Sequence, residues 1–135
     1  MKYEFKMRVI YKDTDGMGVV HHSNYYNFYE LARTELFRSE GISYKMIESR
    51  GLAFPVIESH CRYFKPARYD DILTVEVTVG FIRNASLRFN YIIRNEKNEK
   101  IASGHTVHPI IDSNWSITEF PNDLRVIAEK YLQKE

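Results

Sequence analysis

Apolar and polar residues alternate along the first segment of the chain. Between Lys2 and Lys12 the even positions are mostly charged, whereas the odd positions are apolar: Tyr3, Phe5, Met7, Val9 and Tyr11. A period of two predicts a β-strand with one buried face. The following residues, Asp13–Gly18, include two acidic residues and two glycines, and they predict a loop.

The next segment, from Asn24 to Glu40, has apolar residues spaced by three and four, which predicts a helix. Its apolar face consists of Tyr25, Phe28, Tyr29, Ala32 and Leu36, and the residues largely off that face are Glu30, Arg33, Glu35 and Arg38. Ser23 or Asn24 is expected to cap the helix, because either side chain can accept bonds from free backbone N–H groups. Gly41 is expected to end it. A short helix is predicted over Ser43–Arg50.

The rest of the chain predicts mainly strands. The predicted strands are Phe54–Lys65, Leu73–Val79, Leu87–Ile93 and Ile101–Ile111, with a polar turn at 95–100 and a last helix over Leu124–Leu132. One strand, one long helix and then four strands joined by short turns indicate an α+β fold, in which the helix packs on one face of an antiparallel sheet.

Composition and charge narrow the classes of protein. The length of 135 residues predicts one domain over 1–135, and a formal net charge of +1 does not favour nucleic acid. The single cysteine, Cys61, excludes an internal disulfide and fits a reducing compartment. Neither a signal peptide nor a membrane span is predicted, so a cytoplasmic location is expected. The aromatic share of 14% suits an oligomer or an apolar cleft, and an aromatic core would also explain it.

The segment Asp13–Tyr25 contains the groups needed for acyl transfer. It places two carboxylates and two glycines just before a predicted helix start. A helix start offers unpaired N–H donors and a positive dipole end, which can stabilise an oxyanion on a carbonyl. A carboxylate beside it can attack that carbonyl or activate water. Asp and Gly are also ordinary loop residues, so a purely structural loop is the alternative.

The same segment resembles a known family. Asp13-Thr-Asp15, Gly18-Val-Val, His22-Ser-Asn-Tyr25 and Phe28-Tyr-Glu-Leu-Ala-Arg33 are similar to the signature of the YbgC-like acyl-CoA thioesterases. These are relatives of 4-hydroxybenzoyl-CoA thioesterase in the hotdog superfamily. The likeness continues at Pro66–Val75 and near Ile110-Ile-Asp112, so it covers nearly the whole chain in matching order.

The resemblance implies a hotdog fold, with five antiparallel strands wrapped around one long central helix. It also implies homodimers that often pair into tetramers, with active sites at the dimer interface. The catalytic aspartate of the family falls on Asp15, and the backbone N–H that polarises the thioester carbonyl falls on His22. Gly18, Val19, His21 and Tyr25 are expected to contact substrate. His21 stands where family members more often have an aromatic such as Tyr, a departure that bears on the shape and acyl preference of the pocket.

Further candidates concern the CoA nucleotide and the acyl group. Phosphates favour Arg or Lys at the cleft rim. The resemblance places the nucleotide near a predicted strand–strand junction formed by Arg83, Asn84 and Ser86, and the alternatives are Arg62, Lys65 and Arg68. Glu58 is a further candidate for projecting into the cleft, with a solvated or paired side chain as the alternative.

No metal or redox cofactor is predicted. His105 and His108 are three apart on a predicted strand and should face opposite sides of the sheet. The expected substrate is an acyl-CoA, which would be hydrolysed to a free acid and CoA, and acyl carrier protein is an alternative thioester carrier. Two other functions stay open. One is a hotdog hydratase or dehydratase that uses Asp15 with a histidine, and the other is a non-catalytic acyl-CoA binding scaffold.

Overall fold

The computed structural model describes residues 1–133, and these form one five-stranded antiparallel sheet and three helices. The elements, in chain order, are β1 (Tyr3–Arg8), α1 (Asn24–Ser39), α2 (Tyr44–Ser49), β2 (Glu58–Tyr63), β3 (Ile72–Ile82), β4 (Ser86–Arg94), β5 (Lys100–Pro109) and α3 (Asn122–Lys130). The strands lie in the order β1-β3-β4-β5-β2, so β1 and β2 form the two edges. The predicted α+β class and antiparallel sheet are confirmed.

Helix α1 packs its aromatic face on the inner face of this sheet. All five residues of the predicted apolar face are buried. The Tyr29 ring stacks on the Tyr91 ring of β4 with centroids 4.2 Å apart, and Gly104 of β5 lies beneath them. Alternate residues of β3 and β4 complete the core from the sheet side, as their period of two predicted. Among the described residues, no helix has both the length and the apolar composition needed to cross a membrane.

Several predicted boundaries differ from the structure. β1 ends at Arg8 rather than Lys12, because a 3₁₀ turn over Tyr11–Asp13 follows it. The Ile10 N–H donates to the Asp13 carboxylate, and this bond closes the turn. Tyr11, predicted on the buried face, is 78% exposed and packs edge-on against Tyr69. β2 is also shorter than predicted.

The end of α1 agrees with the prediction. Gly41 has φ +89°, a left-handed backbone conformation that glycine adopts at little cost. Its N–H donates to the Arg38 carbonyl, and the Ile42 N–H donates to the Phe37 carbonyl. Ser43 then caps α2 by accepting a bond from the Met46 N–H at 3.2 Å.

Arg33 was predicted largely off the apolar face of α1, and this prediction is wrong: Arg33 is buried. It begins a row of polar side chains across the inner sheet face. Its guanidinium lies 3.5 Å from the Tyr91 hydroxyl, which donates to Thr106 Oγ1 at 2.6 Å. The Thr106 hydroxyl lies 2.8 Å from His108 Nε2, and His108 Nδ1 lies 3.1 Å from the Phe54 carbonyl. A carbonyl only accepts, so Nδ1 carries the proton. Burial keeps the imidazole neutral by lowering its pKa, so Nε2 accepts from the Thr106 hydroxyl.

Burial lowers the pKa of His108 to about 4, with the charge of Arg33 as a further cause. In the unfolded chain the pKa returns towards 6.5, so between these values the unfolded state binds more protons. His108 therefore does not lower the free energy of unfolding above pH 6.5. As the pH falls towards 4, protonation of His108 in the unfolded state lowers this free energy by about 3 kcal/mol. We expect the free energy of unfolding, measured in urea across this range, to fall more steeply for the parent than for His108→Gln. An equal pH dependence of the free energy of unfolding in the parent and His108→Gln would contradict a neutral buried His108.

Gly104 is required by the close approach of α1 to the β2–β5 pair. A Cβ at this position would lie 2.2 Å from the His60 carbonyl oxygen and about 3.0 Å from the Tyr29 ring. Backbone cannot move aside cheaply, so Gly104→Ala should lower the free energy of unfolding by about 1–3 kcal/mol. Gly16→Ala is the control, because nothing lies within 4 Å of its Cβ. Chemical denaturation of both variants tests this. An unchanged free energy of unfolding in Gly104→Ala would show that the helix packs less closely on the sheet than described.

Candidate active site

The loop between β1 and α1 forms a small hairpin that is clamped to the segment before β3. The Asp15 N–H donates to the Val19 carbonyl at 2.8 Å, and Thr14 forms a bridge with Val20. The Val20 N–H donates in turn to the Ala67 carbonyl at 2.8 Å. The backbone of the loop is therefore fixed on both sides, which gives its side chains a defined position at the start of α1.

The Asp15 carboxylate is anchored by one oxygen only. Its Oδ1 accepts bonds from the Met17 N–H at 2.7 Å and the Val19 N–H at 3.4 Å. Within residues 1–133, Oδ2 has no hydrogen-bond partner. Gly18 has φ +83°, which lets the chain turn sharply enough for these bonds. The carboxylate is thus held in place with one oxygen free to react.

Asp13, two residues earlier, has a different environment. Its Oδ2 accepts from the Ile10 N–H at 3.1 Å. Its carbonyl accepts from the His21 N–H at 2.9 Å and from Asn24 Nδ2 at 2.8 Å. Asp13 therefore ties the 3₁₀ turn to the start of α1.

The start of α1 has an unused backbone donor at His22. The neighbouring Ser23 N–H donates to His21 Nδ1 at 3.2 Å, and the Asn24 N–H donates to the His21 carbonyl at 3.0 Å. In the described part of the chain, the His22 N–H donates to no acceptor. The expected side-chain cap is wrong, because neither Ser23 nor Asn24 accepts a bond from a free N–H of the helix. A free N–H at a helix start is a donor suited to an oxyanion.

The two histidine side chains pack together beside this donor. The His21 and His22 rings stack with centroids 4.3 Å apart, and both residues are exposed. His21 Nδ1 accepts from the Ser23 N–H, so neutral His21 carries its proton on Nε2. The Tyr63 hydroxyl donates to the His22 carbonyl at 3.2 Å and ties the helix start to β2.

A cavity of about 310 Å³ opens beside the helix start. Its lining residues are Val20, His22, Tyr25, Tyr63, Phe64, Lys65 and Pro66. The Tyr25 and Tyr63 rings form one wall, with centroids 5.1 Å apart. Lys65 also lines a neighbouring polar cavity of about 370 Å³ that contains Arg68 and Lys97. Tyr63 and Phe64 were not predicted as lining residues, although both stand in a predicted strand.

Glu58 does not project towards the helix start. It pairs with Val107 in the β2–β5 register and reaches the outer sheet face, where Oε2 lies 3.1 Å from His105 Nε2. The inner side chains of β2 are instead Ser59, Cys61 and Tyr63, and Cys61 Sγ lies 3.2 Å from the Tyr29 hydroxyl. Glu58 is therefore paired on the sheet surface.

Arg83, Asn84 and Ser86 lie at the far end of the sheet from Asp15. The Asp15 loop is bonded to the segment before β3, whereas these residues follow β3. Eleven strand residues separate the two ends, which corresponds to roughly 35 Å. The Arg83 guanidinium stacks on the Phe81 ring at 3.9 Å. One chain alone therefore does not bring these residues to the helix start.

His105 and His108 lie on opposite faces of β5, as their spacing predicted, with His105 on the outer face and His108 in the core. In residues 1–133, no group of three or more His, Cys, Asp or Glu side chains is arranged to hold a metal ion.

The chain is similar to several known thioesterases. It is 34% identical over 110 residues to the acyl-CoA thioester hydrolase YbgC of Escherichia coli, covering 82% of each chain. It is 38% identical over 95 residues to the acyl-CoA thioesterase YbgC of Haemophilus influenzae, covering 69% of this chain and 70% of the relative.

The fold comparison and the family model agree with these relatives. The DHNA-CoA thioesterase of Staphylococcus aureus superposes with a TM-score of 0.90 at 26% identity, covering 96% of this chain and 89% of that one. This confirms the predicted hotdog fold. The family model of the thioesterase superfamily matches residues 17–102, a segment that begins two residues after Asp15. The chain therefore belongs to the thioesterase superfamily and resembles its YbgC members over most of its length.

Proposed function

We propose that this chain hydrolyses acyl-CoA thioesters to a free carboxylic acid and CoA, with Asp15 as the reacting carboxylate. One observation carries the proposal. A carboxylate with one anchored and one free oxygen lies in the loop that leads into the unused N–H of His22. Nucleophile or base and oxyanion donor are the two groups that acyl transfer requires. The activity of the YbgC relatives supports the same reaction.

The reaction proceeds through a tetrahedral intermediate. The thioester oxygen accepts the His22 N–H, and either Asp15 Oδ2 or a water that gives its proton to Asp15 attacks the carbonyl carbon. Collapse breaks the C–S bond, and the CoA thiolate leaves and takes up a proton. In the nucleophilic route, one water then hydrolyses the acyl–aspartate anhydride, which frees the acid and restores the Asp15 carboxylate. The Met17 and Val19 N–H groups hold the carboxylate, and Gly18 permits the turn that brings them to it. The cavity walls at His22 and Tyr25 position the thioester. Neither route requires a cofactor.

The proposed active unit is a homodimer that pairs through β2. The outer edge of β1 is blunted by charges at Lys2, Glu4, Lys6 and Arg8. The β2 edge is instead flanked by exposed apolar residues, Val56, Ile57, Tyr63 and Phe64. Two copies pairing antiparallel along this edge would bury these side chains and satisfy the free backbone groups.

This pairing would also bring Arg83 of the partner subunit to the end of the assembly where the site lies. A two-fold axis that pairs the two β2 strands antiparallel reverses the strand direction of the partner sheet. The partner's Arg83 would then lie at the same end of the assembly as Asp15 of the first chain. We propose that Arg83, Asn84 and Ser86 meet the CoA nucleotide in this way, across the interface. Lys65 and Arg68 are the alternative within one chain.

Asp15→Asn should lower kcat about 10²–10⁴-fold, because Asn is a far poorer nucleophile and base than a carboxylate. Its amide oxygen can still accept the Met17 N–H, so the loop should keep its shape. Asp13→Asn is the matched control and should lower kcat much less, because the Asp13 carboxylate accepts a bond from a backbone N–H and holds the turn. Thiol release from a panel of short, long and aromatic acyl-CoAs measures both, with circular dichroism as the check on folding.

Near-parental turnover in Asp15→Asn would leave the binding scaffold as the better interpretation. Loss of turnover in Asp13→Asn alone would move the reacting carboxylate by two residues and keep the reaction. Hydration of an enoyl-CoA with no thiol release would favour the hydratase.

Ile57→Asp should convert the protein to a monomer, because a carboxylate in the pairing edge would be desolvated without a partner. Ile117→Asp is the control, since Ile117 is similarly exposed, at 70% against 66%, and lies away from β2. Light scattering should give at least twice the 16.0 kDa chain mass for the parent and the control. Four times that mass would indicate the expected tetramer, and a parent monomer at micromolar concentration would contradict β2 pairing.

A further inference from the structure

Arg33 is a buried cation whose hydrogen bonds are incomplete. It is 7% exposed, and its Nε has no hydrogen-bond partner among residues 1–133. Its Nη1 lies 3.5 Å from the Tyr91 hydroxyl, at the limit of a hydrogen bond. Its Nη2 lies 3.8 Å from Glu30 Oε1, which is beyond hydrogen-bond distance. A buried charge normally has close partners, so this guanidinium has unused capacity to bind an anion.

The Tyr44 hydroxyl is a further hydrogen-bond partner of the guanidinium, but no side chain among residues 1–133 accepts a bond from Nε. The Tyr91 hydroxyl donates its proton to Thr106, and the Thr106 hydroxyl donates to His108. The side chain of Glu30 is 64% exposed and directs its charge largely to solvent. The nearest carboxylate is therefore neither in contact with the guanidinium nor buried beside it.

Arg33 lines a cavity in the groove between α1 and β2, and we call this groove the α1–β2 groove. The cavity has a volume of about 240 Å³ and is lined by Tyr26, Asn27, Glu30, Arg33, Val56, Ser59 and Thr106. The cavity at the helix start lies in the same groove, since His22 and Tyr63 line it. Successive residues of α1 and β2 thus connect the oxyanion donor with Arg33.

The length of α1 sets the span between these points. His22 and Arg33 are eleven residues apart, which corresponds to roughly 16 Å along the helix axis. The Arg33 side chain leans back towards the helix start, so its guanidinium is closer than that. An acyl chain of medium length, held at its carbonyl by His22, would bring its far end to Arg33.

We propose that Arg33 binds a carboxylate at the far end of the acyl group, so that medium-length dicarboxylic acyl-CoAs are preferred substrates. The inference rests on the proposed function for its thioester end. The planar guanidinium fork matches a carboxylate in two parallel hydrogen bonds, and Nη2, which lies 3.8 Å from Glu30 Oε1, would donate one of them. Glu30 would be displaced towards solvent by the incoming anion, because it holds Arg33 only at 3.8 Å.

The test compares suberyl-CoA with octanoyl-CoA, which have the same chain length and differ in the terminal carboxylate. The parent should favour suberyl-CoA in kcat/KM, and Arg33→Gln should lower this preference about tenfold to a hundredfold. Arg33→Lys should keep part of it, since the charge remains and the fork is lost. Glu30→Gln should raise it by removing the competing carboxylate. The control Arg38→Gln changes an exposed arginine of the same helix, and should leave the preference unchanged.

Calorimetry of CoA-free ligands tests the subsite without catalysis. Suberate should bind the parent more tightly than octanamide, which has no carboxylate, and Arg33→Gln should abolish the difference. That result without any thioester hydrolysis would support the subsite while the proposed function fails. If Arg33→Lys and Glu30→Gln both left the preference for suberyl-CoA over octanoyl-CoA unchanged, the proposal would be overturned. These two variants keep the test valid even if Arg33→Gln fails to fold. Faster turnover of ω-hydroxyoctanoyl-CoA than of suberyl-CoA would also overturn it, because the group recognised would then be a hydroxyl.

Discussion

The seating of α1 on the sheet is the constraint on which the rest of the structure depends. Tyr29 can stack on Tyr91 at 4.2 Å only because Gly104 has no side chain beneath the two rings. This close approach fixes the height of the helix above β4 and β5. Because α1 is one continuous helix, its packing height also sets the position of its first turn. The position of the His22 N–H relative to the loop that contains Asp15 follows from this.

The candidate site arises because some polar groups at the helix start have hydrogen-bond partners and others do not. The backbone of the loop is bonded to Ala67 on one side and to Asp13 on the other, so little freedom remains. Within residues 1–133, one oxygen of Asp15 and the N–H of His22 remain without a hydrogen-bond partner. Groups left free on a fixed backbone are therefore available to a substrate without reorganisation, which is the condition for electrostatic stabilisation of a transition state.

Much of this architecture could be predicted from the sequence, and the exceptions have physical causes. The strands and α1 follow from the spacing of their apolar residues, because burial of one face is what that spacing produces. Tyr11 was misplaced since a side-chain bond from Asp13 ends the strand, and periodicity does not detect such bonds. Arg33 was misplaced because a charged residue at the border of an apolar face gives no sign of burial. The distance between Asp15 and Arg83 depends on strand direction across the whole sheet, which local patterns do not contain.

Three incompletely bonded groups of the described chain lie on one side of α1. The His22 N–H, the Arg33 guanidinium and the free edge of β2 all border the α1–β2 groove, whereas the row from Tyr91 to His108 behind it is closed by its own hydrogen bonds. In the proposed dimer, a substrate and a second copy of the chain would therefore approach from the same side. These roles are compatible only if the partner closes the open side of the groove without filling it. The proposed pairing along β2 would meet this condition, because it would add a strand beside the groove and leave the space between helix and sheet for an acyl chain.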